Sequence, residues 1–376
     1  MSTPTMLTEV ELSHALAIRD LTAPEQGTHA IQLVVADVVE ALTAGDGPHV
    51  DVRASHPVVT LADNYDNLGY AADAVTRDAR YTRYVDQGHV LRSHTSAQIP
   101  GALRELARSA AHDRLTVSAG ICYRRDSIDW QHTGSPHQLD LWRISRGREP
   151  LDEDALMAMI GTVVDAALPG ASWRTMPSPH PYTDAGREIE VRWRDEWIEV
   201  GECGLAAAHV LRRAGLGERW SGLAVGLGLD RMLMLRKGIP DIRLLRSEDS
   251  RVATQMIDLT PYRPVSSRPP VRRDLSVVVG AGADLSDELL GDRVRTALSD
   301  DADSVETVAV VSETSYDELP AAARARIGMH PGQRNVLVRL VLRPVDPTLT
   351  DHEANVLRDR VYAELHEGST AQWAAR

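Results

Sequence analysis

The chain has 376 residues, 43% of them hydrophobic, which is enough for two or three packed units with sizeable cores. Its 41 basic and 54 acidic residues give a net charge of -13 and exclude a polybasic arm that would hold nucleic acid by charge alone. Two cysteines, Cys122 and Cys203, are too few for a secreted disulfide framework. The opening residues lack a signal-peptide pattern and no apolar run is long enough to span a bilayer, so the expected location is cytoplasmic.

Phenylalanine is absent, although usage of roughly 4% would place about 15 in a chain of this length. Lysine occurs once, as Lys237, among the 41 basic residues. A GC-rich genome accounts for the excess of arginine but leaves the missing phenylalanine unexplained.

The first elements are helical. Thr22 and Glu25 have capping-box spacing, Pro24 suits an early helical position, and His29 to Leu42 sets Ile31, Val34, Val35 and Val38 near one face. Gly45 and Gly47 break this pattern, Val50 to Val59 is extended, and a second helical pattern covers Ala102 to Ala111. Leu156, Met159, Ile160, Val163 and Val164 then recur at helical spacing until Pro169 and Gly170 stop the run. From Glu188 the period becomes two. Ile189, Val191 and Trp193 alternate with Glu190, Arg192 and Arg194, and a second extended run from Trp197 completes an antiparallel hairpin.

Prolines at 261, 264, 269 and 270 mark the best boundary. Beyond it, Arg273 to Val279, Val305 to Val311 and Asn335 to Leu342 are expected strands. Leu285 to Leu298 and Asp351 to Leu365 are expected helices, the last capped by Thr350 with Glu353. That order predicts a small α+β sandwich, net acidic like the part before it. No repeat of solenoid length is evident.

Two constellations carry chemistry. The run from Gly222 to Arg231 is neither a P-loop nor a dinucleotide fingerprint, because it lacks Gly-Lys-Ser/Thr and Arg231 stands where a third glycine is needed. Its small residues suit either close strand packing or the approach of a ligand, and Arg231 on a following helix can offer phosphate two parallel donors. The second runs from Cys122-Tyr123-Arg124-Arg125-Asp126 through His132 to His137-Gln138-Leu139-Asp140. Singly these are ordinary surface or hydrogen-bonding residues; together they fit a site where arginine binds phosphate and Gln138 and Asp140 recognise a protonated amine. Cys122, His132 and His137 lack a fourth partner and a common zinc spacing, and neither cysteine has an evident catalytic base. Glu188, Glu190 and Glu199 around the hairpin either solubilise an exposed face or hold Mg2+ against a triphosphate. The antiparallel pattern counts against a doubly wound nucleotide fold.

Further motifs stand in order along the chain: Pro57-Val58-Val59-Thr60 with Asn64-Tyr65-Asp66-Asn67-Leu68; Leu91-Arg92-Ser93-His94-Thr95-Ser96-Ala97; Tyr123-Arg124-Arg125-Asp126 with His137-Gln138-Leu139-Asp140; Gly222 to Arg231; Gly238-Ile239-Pro240-Asp241-Ile242-Arg243; and Pro269-Pro270-Val271-Arg272-Arg273-Asp274-Leu275-Ser276. Taken in that order, they resemble the phenylalanyl-tRNA synthetase family, in its single-chain organellar-like type with a C-terminal ferredoxin-fold anticodon-binding domain. Together they span about residues 50 to 370.

The resemblance implies an α+β class, with a class II aminoacyl-tRNA synthetase antiparallel-sheet core followed by a ferredoxin-like α+β domain. The expected divisions are an N-terminal helical extension over 1–49, a catalytic domain over 50–260 and an anticodon-binding domain over 261–376. The implied reaction joins an amino-acid carboxylate to the ATP α-phosphate, releases pyrophosphate and transfers the acyl group to tRNA. By motif match, Arg124 is the α-phosphate arginine and Arg231 the arginine at the ATP tail. Pro136 stands where the family stacks adenine on phenylalanine, and Glu199 resembles the acidic residue near ATP and Mg2+. His94 and Ser96 orient the substrate, Gln138 and Asp140 take its amine, and His180, Tyr182, Glu202 and Ala224 surround its side chain. Arg272, Arg273, Arg339 and Arg343 are candidate tRNA contacts. The fused module makes a separate β subunit unnecessary and a monomer plausible.

Departures bear on the substrate. The family's Phe-Pro-Phe-Thr-Glu-Pro reads His180-Pro181-Tyr182-Thr183-Asp184-Ala185 here, and Glu202 replaces a glycine before Cys203-Gly204, while Ala224 stays small. The expected substrate is therefore phenylalanine or a more polar aromatic amino acid, carried to a phenylalanine-type tRNA. Activation for a small-molecule or carrier-protein acceptor, and a non-catalytic tRNA-binding regulator, are the alternatives. An enzyme that placed another amino acid on the phenylalanine tRNA would be buffered by having no Phe codons.

Overall fold

The computed structural model describes residues 6–45, 47–78, 81–147, 149–265, 270–344 and 349–371. Pro269 of the proline-rich boundary lies outside them. The chain divides into two compact units, one formed by 1–124, 135–239 and 255–262, the other by 125–134, 240–254 and 263–376.

The first unit contains α1 (Glu9–Ala17), α2 (Ala30–Thr43), β1 (His49–Arg53), β2 (Val58–Thr60), α3 (Leu61–Asn64), β3 (His89–Leu91), α4 (Ile99–Ala107), β4 (Asp113–Ile121), β5 (His137–Ser145), α5 (Glu153–Ala167), β6 (Trp173–Pro177), β7 (Thr183–Trp193), β8 (Glu196–Ala206), α6 (Ala208–Arg213), β9 (Ser221–Gly228) and α7 (Leu229–Lys237). Seven strands form one sheet in the order β1-β4-β5-β9-β8-β7-β6, with β1 parallel to β4 and every other pair antiparallel. β2 and β3 form a separate ribbon.

The apolar stripe read from the sequence becomes the buried face of α5, with Leu156, Met159, Ile160, Val163 and Val164 packed inward. Asp152 caps it by accepting from Ala155 N at 2.9 Å, a contact worth about 1 kcal/mol. α5 lies on β8 and β9, and α2 packs on α5 and α7, so helices cover one face of the sheet. Lys237 ends α7 with its amine buried, donating to the carbonyls of Asp258 and Thr260, each at 2.6 Å.

Two expectations need correction. Thr22 and Glu25 do not start a helix: Thr22 Oγ1 donates to Asp20 at 2.6 Å, and Pro24–Gln26 forms one 3-10 turn. Gly27, at φ 113, ends that turn, and His29 caps α2 by accepting from Ile31 N at 3.2 Å. The extended run from Val50 to Val59 is two strands, β1 and β2, that belong to different sheets. α1 was not visible as a pattern, because it buries no residue.

The second unit contains α8 (Ser250–Ala253), β10 (Val271–Gly280), α9 (Asp287–Leu298), β11 (Val305–Ser315), α10 (Ala321–Ile327), β12 (Gln333–Leu342) and α11 (Asp351–Leu365). Its antiparallel sheet has the order β10-β12-β11, and α9 and α11 cover the face bearing Leu275, Val277, Val336, Val338 and Leu340. Thr350 and Glu353 form the expected capping box on α11. A ferredoxin-like βαββαβ order has four strands. Here three strands are formed among the described residues, and Glu367, just past α11, donates one backbone bond to Val278 at 2.7 Å. Segment 125–134 contributes Ile128 to this unit's core, and Arg125 pairs with Asp292 at 3.0 Å.

Candidate active site

The register of the large sheet gathers the polar residues on one face. Asp140 on β5 lies opposite Gly226 on β9, Gly226 opposite Glu202 on β8, and Glu202 opposite Glu188 on β7. Two residues along β5, on the same face, Gln138 lies opposite Gly228 and Gly120. At about 4.8 Å per strand, the backbones of Asp140 and Glu202 are about 10 Å apart, with only a glycine between them.

The glycine-rich run divides in two. A Cβ on Gly222 would meet Ile144 Cδ1 at 2.3 Å, whereas on Gly226 the nearest atom would be Asp140 Oδ1 at 3.9 Å. Gly222 therefore allows close packing, while half-buried Gly226 and Gly228 leave an open floor.

Asp140 is buried and accepts hydrogen bonds from Thr95 Oγ1 at 2.5 Å, Ser96 Oγ at 2.8 Å and Trp142 Nε1 at 3.3 Å. Burial raises its pKa above the ordinary 3.8; these donors oppose the rise, and the charge of Glu202 adds to it. Gln138 Oε1 accepts from Thr95 N at 3.3 Å and from the Cys122 thiol at 3.4 Å. Burial pushes that thiol up to about 12, so it serves as a donor. His94 stacks on Tyr70 with ring centres 5.7 Å apart, and burial, reinforced by Arg124, pulls its pKa down to about 4.

Arg124 follows β4, and its charge is felt at His94, Glu199 and Glu202. Arg231, in the first turn of α7, donates through Nη1 to the Glu199 carbonyl at 2.7 Å and lies 3.7 Å from Glu199 Oε2. A register shift at Val200 puts Glu199 opposite Glu190, so Glu188, Glu190, Glu199 and Glu202 share one face. Burial raises the pKa of Glu199 against the pull of Arg231, and the charges of Glu202 and Glu188 add to the rise. Pro136 is buried beside this region, its carbonyl accepting from Cys122 N at 2.7 Å.

At the other end of the row, His180 Nε2 lies 2.9 Å from Glu202 Oε1, and the Tyr182 hydroxyl donates to Oε2 at 3.3 Å. Tyr182 is enclosed by His180, Trp142 and Tyr70, with ring centres at 5.7, 6.1 and 6.2 Å. Ala224 lies beneath, opposite Trp142.

The sequence reading passed over several residues that shape this face. Asp230 is buried and accepts from His137 N at 2.5 Å and His137 Nδ1 at 2.9 Å, while His137 Nε2 accepts from Leu21 N at 3.0 Å. These contacts put the ring proton on Nδ1 and tie the start of α7 to β5. Thr95 and Asp230 stood inside quoted motifs, and Trp142 continues the alternation of Gln138 and Asp140; Tyr70 carried no such signal. In the second unit, Arg272 and Arg339 share the sheet face opposite α11, where Asp274 binds Arg339 through two contacts of 2.8 Å. Arg273 turns to the helix face and bonds Asn355 at 2.9 Å, and Arg343 pairs with Glu306 at 3.1 Å, so the four arginines do not form one surface.

A family model described as "tRNA synthetases class II core domain (F)" matches residues 18–256. The chain belongs to this family. Its members join an amino acid to tRNA at the expense of ATP, and this enzyme activates an amino acid with ATP and transfers it to tRNA. The regulator and carrier-protein readings therefore give way. The "Probable phenylalanine--tRNA ligase, mitochondrial" of Drosophila melanogaster is 28% identical over 363 residues, covering 81% of this chain and 75% of the relative. The "Phenylalanine--tRNA ligase, chloroplastic/mitochondrial" of Arabidopsis thaliana is 30% identical over 324 residues, covering 83% and 70%. A "Phenylalanine--tRNA ligase alpha subunit" of Prochlorococcus marinus is 33% identical over 247 residues, covering 63% and 69%. Among solved structures, a pyrrolysyl tRNA synthetase of Desulfitobacterium hafniense is 18% identical, covering 58% of this chain and 73% of that one at a TM-score of 0.46.

The names of the relatives also overturn one expectation. A cytoplasmic location was inferred from missing targeting features, but the Drosophila and Arabidopsis relatives, matched over most of this chain, are named as organellar enzymes. Composition reports redox conditions and secretion, and it does not distinguish cytoplasm from an organelle interior. No helix among the described residues is long and apolar enough to cross a membrane.

Proposed function

We propose that this enzyme activates phenylalanine or a more polar aromatic amino acid and transfers it to a phenylalanine-type tRNA. The observation that carries the reading is the single row from Asp140 across Gly226 to Glu202, flanked by Arg124 and Arg231. An α-amine placed over Gly226 meets the Asp140 carboxylate and Gln138. His94, held uncharged, orients the carboxylate, and Ser96 orients the substrate through its bond to Asp140, while His180, Tyr182, Glu202 and Ala224 enclose the side chain.

Arg124 stabilises the charge that develops on the α-phosphate when the amino-acid carboxylate attacks, and Arg231 holds the far end of the triphosphate. Pro136 supports adenine with less area than an aromatic ring offers. Alignment supplies much of the acceleration, with no covalent enzyme intermediate.

Magnesium binds through one or two carboxylates, its remaining positions going to water and phosphate. Glu199, with a side chain 48% exposed, suits that role, and Mg2+ there would neutralise phosphate charge. Among the described residues no group of three or more His, Cys, Asp or Glu is arranged to hold a metal, so the ion would be shared with ATP.

The second unit would bind the anticodon arm as a ferredoxin-like module, a reading supported by its β-α-β-(α)-β-α order. Arg272 and Arg339, which share the sheet face opposite α11, would contact the tRNA, and the fused module makes a separate β subunit unnecessary, in keeping with a monomer. The test is amino-acid-dependent ATP-pyrophosphate exchange, followed by acylation of purified tRNAs. Arg124→Ala, in protein that still melts cooperatively, should lower exchange by about 100-fold or more. Exchange that persists unchanged removes the assignment of Arg124.

A further inference from the structure

We propose that Glu202 is a specificity residue that selects an aromatic amino acid whose ring carries a hydrogen-bond donor, a hydroxyl or an amine, and rejects phenylalanine. The inference rests on the synthetase reading and names the substrate class of that site.

Register places Glu202 on the same face as Asp140, two strands away over a half-buried glycine. An amino acid whose α-amine sits at Asp140 can lay its side chain along that floor toward Glu202. An ionised carboxylate offers about four acceptor positions. His180 at 2.9 Å and Tyr182 at 3.3 Å account for one on each oxygen. The Glu202 side chain is 42% exposed while that of His180 is 12% exposed, so the carboxylate is reached from the open side and its partner is behind it. Burial alone would raise the pKa of Glu202, but the His180 contact and the charge of Arg124 bring it below the ordinary 4.5, which keeps an acceptor in place at neutral pH.

A phenyl ring cannot donate to that carboxylate and would strip water from it. A ring hydroxyl or amine replaces the lost water directly. Sites built around such a bond reject the analogue that lacks it by factors far larger than one methylene provides.

The experiment is pyrophosphate exchange with purified full-length enzyme and tyrosine, 3-hydroxyphenylalanine, 4-aminophenylalanine and phenylalanine. At least one donor-bearing ring should exceed phenylalanine in kcat/KM by about 100-fold or more. Glu202→Gln should reduce that ratio mainly through KM, and Glu202→Ala should move preference toward phenylalanine. A variant that retains exchange with phenylalanine has kept its fold, so loss of activity on the polar substrate is then a loss of selection. Phenylalanine as the best wild-type substrate overturns the role of Glu202 and leaves the synthetase intact. No exchange with any member of the panel overturns both.

From a different observation, the composition, we infer that the chain lacks phenylalanine because its product makes Phe codons ambiguous, an inference that needs the enzyme to load another amino acid. Aromatic residues as such are not avoided. Seven Trp and nine Tyr remain, and Trp142, Tyr65 and Tyr123 are among the largest fully buried side chains. Tyrosine codons are as A/T-rich in their first two positions as those of phenylalanine, so base composition does not separate the two. A synthetase that loads a phenylalanine-type tRNA with another amino acid alters every protein that has Phe codons, and its own chain has none. Expression beside a Phe-rich reporter, followed by peptide mass spectrometry, should reveal the foreign residue at Phe codons. Enzyme that acylates the purified tRNA yet leaves the reporter unaltered overturns this inference alone; enzyme that acylates no phenylalanine-type tRNA overturns the acceptor as well.

Discussion

Asp140 and His94, the proposed contacts for the amine and the carboxylate of the amino acid, respond to burial in opposite directions. Asp140 is raised above 3.8 and His94 is lowered to about 4, so both are driven toward their neutral forms. In the proposed site the amine is held by the Asp140 carboxylate, and KM for the amino acid should therefore rise as pH falls through its raised pKa. Because that limb belongs to Asp140, His94→Gln should change the size of KM but leave its midpoint in place; a midpoint that moves with the substitution would assign the limb to His94. The stability contribution has the other sign. Because native Asp140 holds its proton more tightly than the unfolded chain does, acidification through its pKa stabilises the fold at this position. Glu202, lowered below 4.5, stabilises above its unfolded pKa and loses that contribution on acidification through its folded one.

At the scale of an element, β9 combines two demands in one strand. Gly222 faces Ile144 so closely that Gly222→Ala should destabilise the enzyme by about 1–3 kcal/mol through overpacking, seen as a lower melting temperature. Gly226→Ala meets only ordinary contacts, so it should fold normally yet raise KM for the amino acid by projecting a methyl into the floor. A normal Gly222→Ala melting curve would refute the packing account. The composition of this strand was legible in the sequence, but which glycine served which purpose depended on its partners in β5 and β8. The same limit applied elsewhere. The alternation of β7, the stripe of α5 and the cap of α11 were readable because each depends on neighbours a few residues away. The Asp230–His137 link joins residues 93 positions apart and left no local trace. The start of the chain misled because Thr22 and Glu25 have helix-cap spacing while Gly27 breaks the run between them and α2.

On the scale of the whole molecule, the reaction itself gives the lysine count a meaning. An aminoacyl-adenylate is a mixed anhydride that readily acylates unprotonated primary amines, including those of the protein that made it. Guanidinium groups, protonated at any physiological pH, are poor nucleophiles. The single lysine in this sequence ends α7 with its amine enclosed by the carbonyls of Asp258 and Thr260. Whatever pressure produced that bias, the outcome is a catalyst with no lysine side chain on its surface to capture escaping activated product.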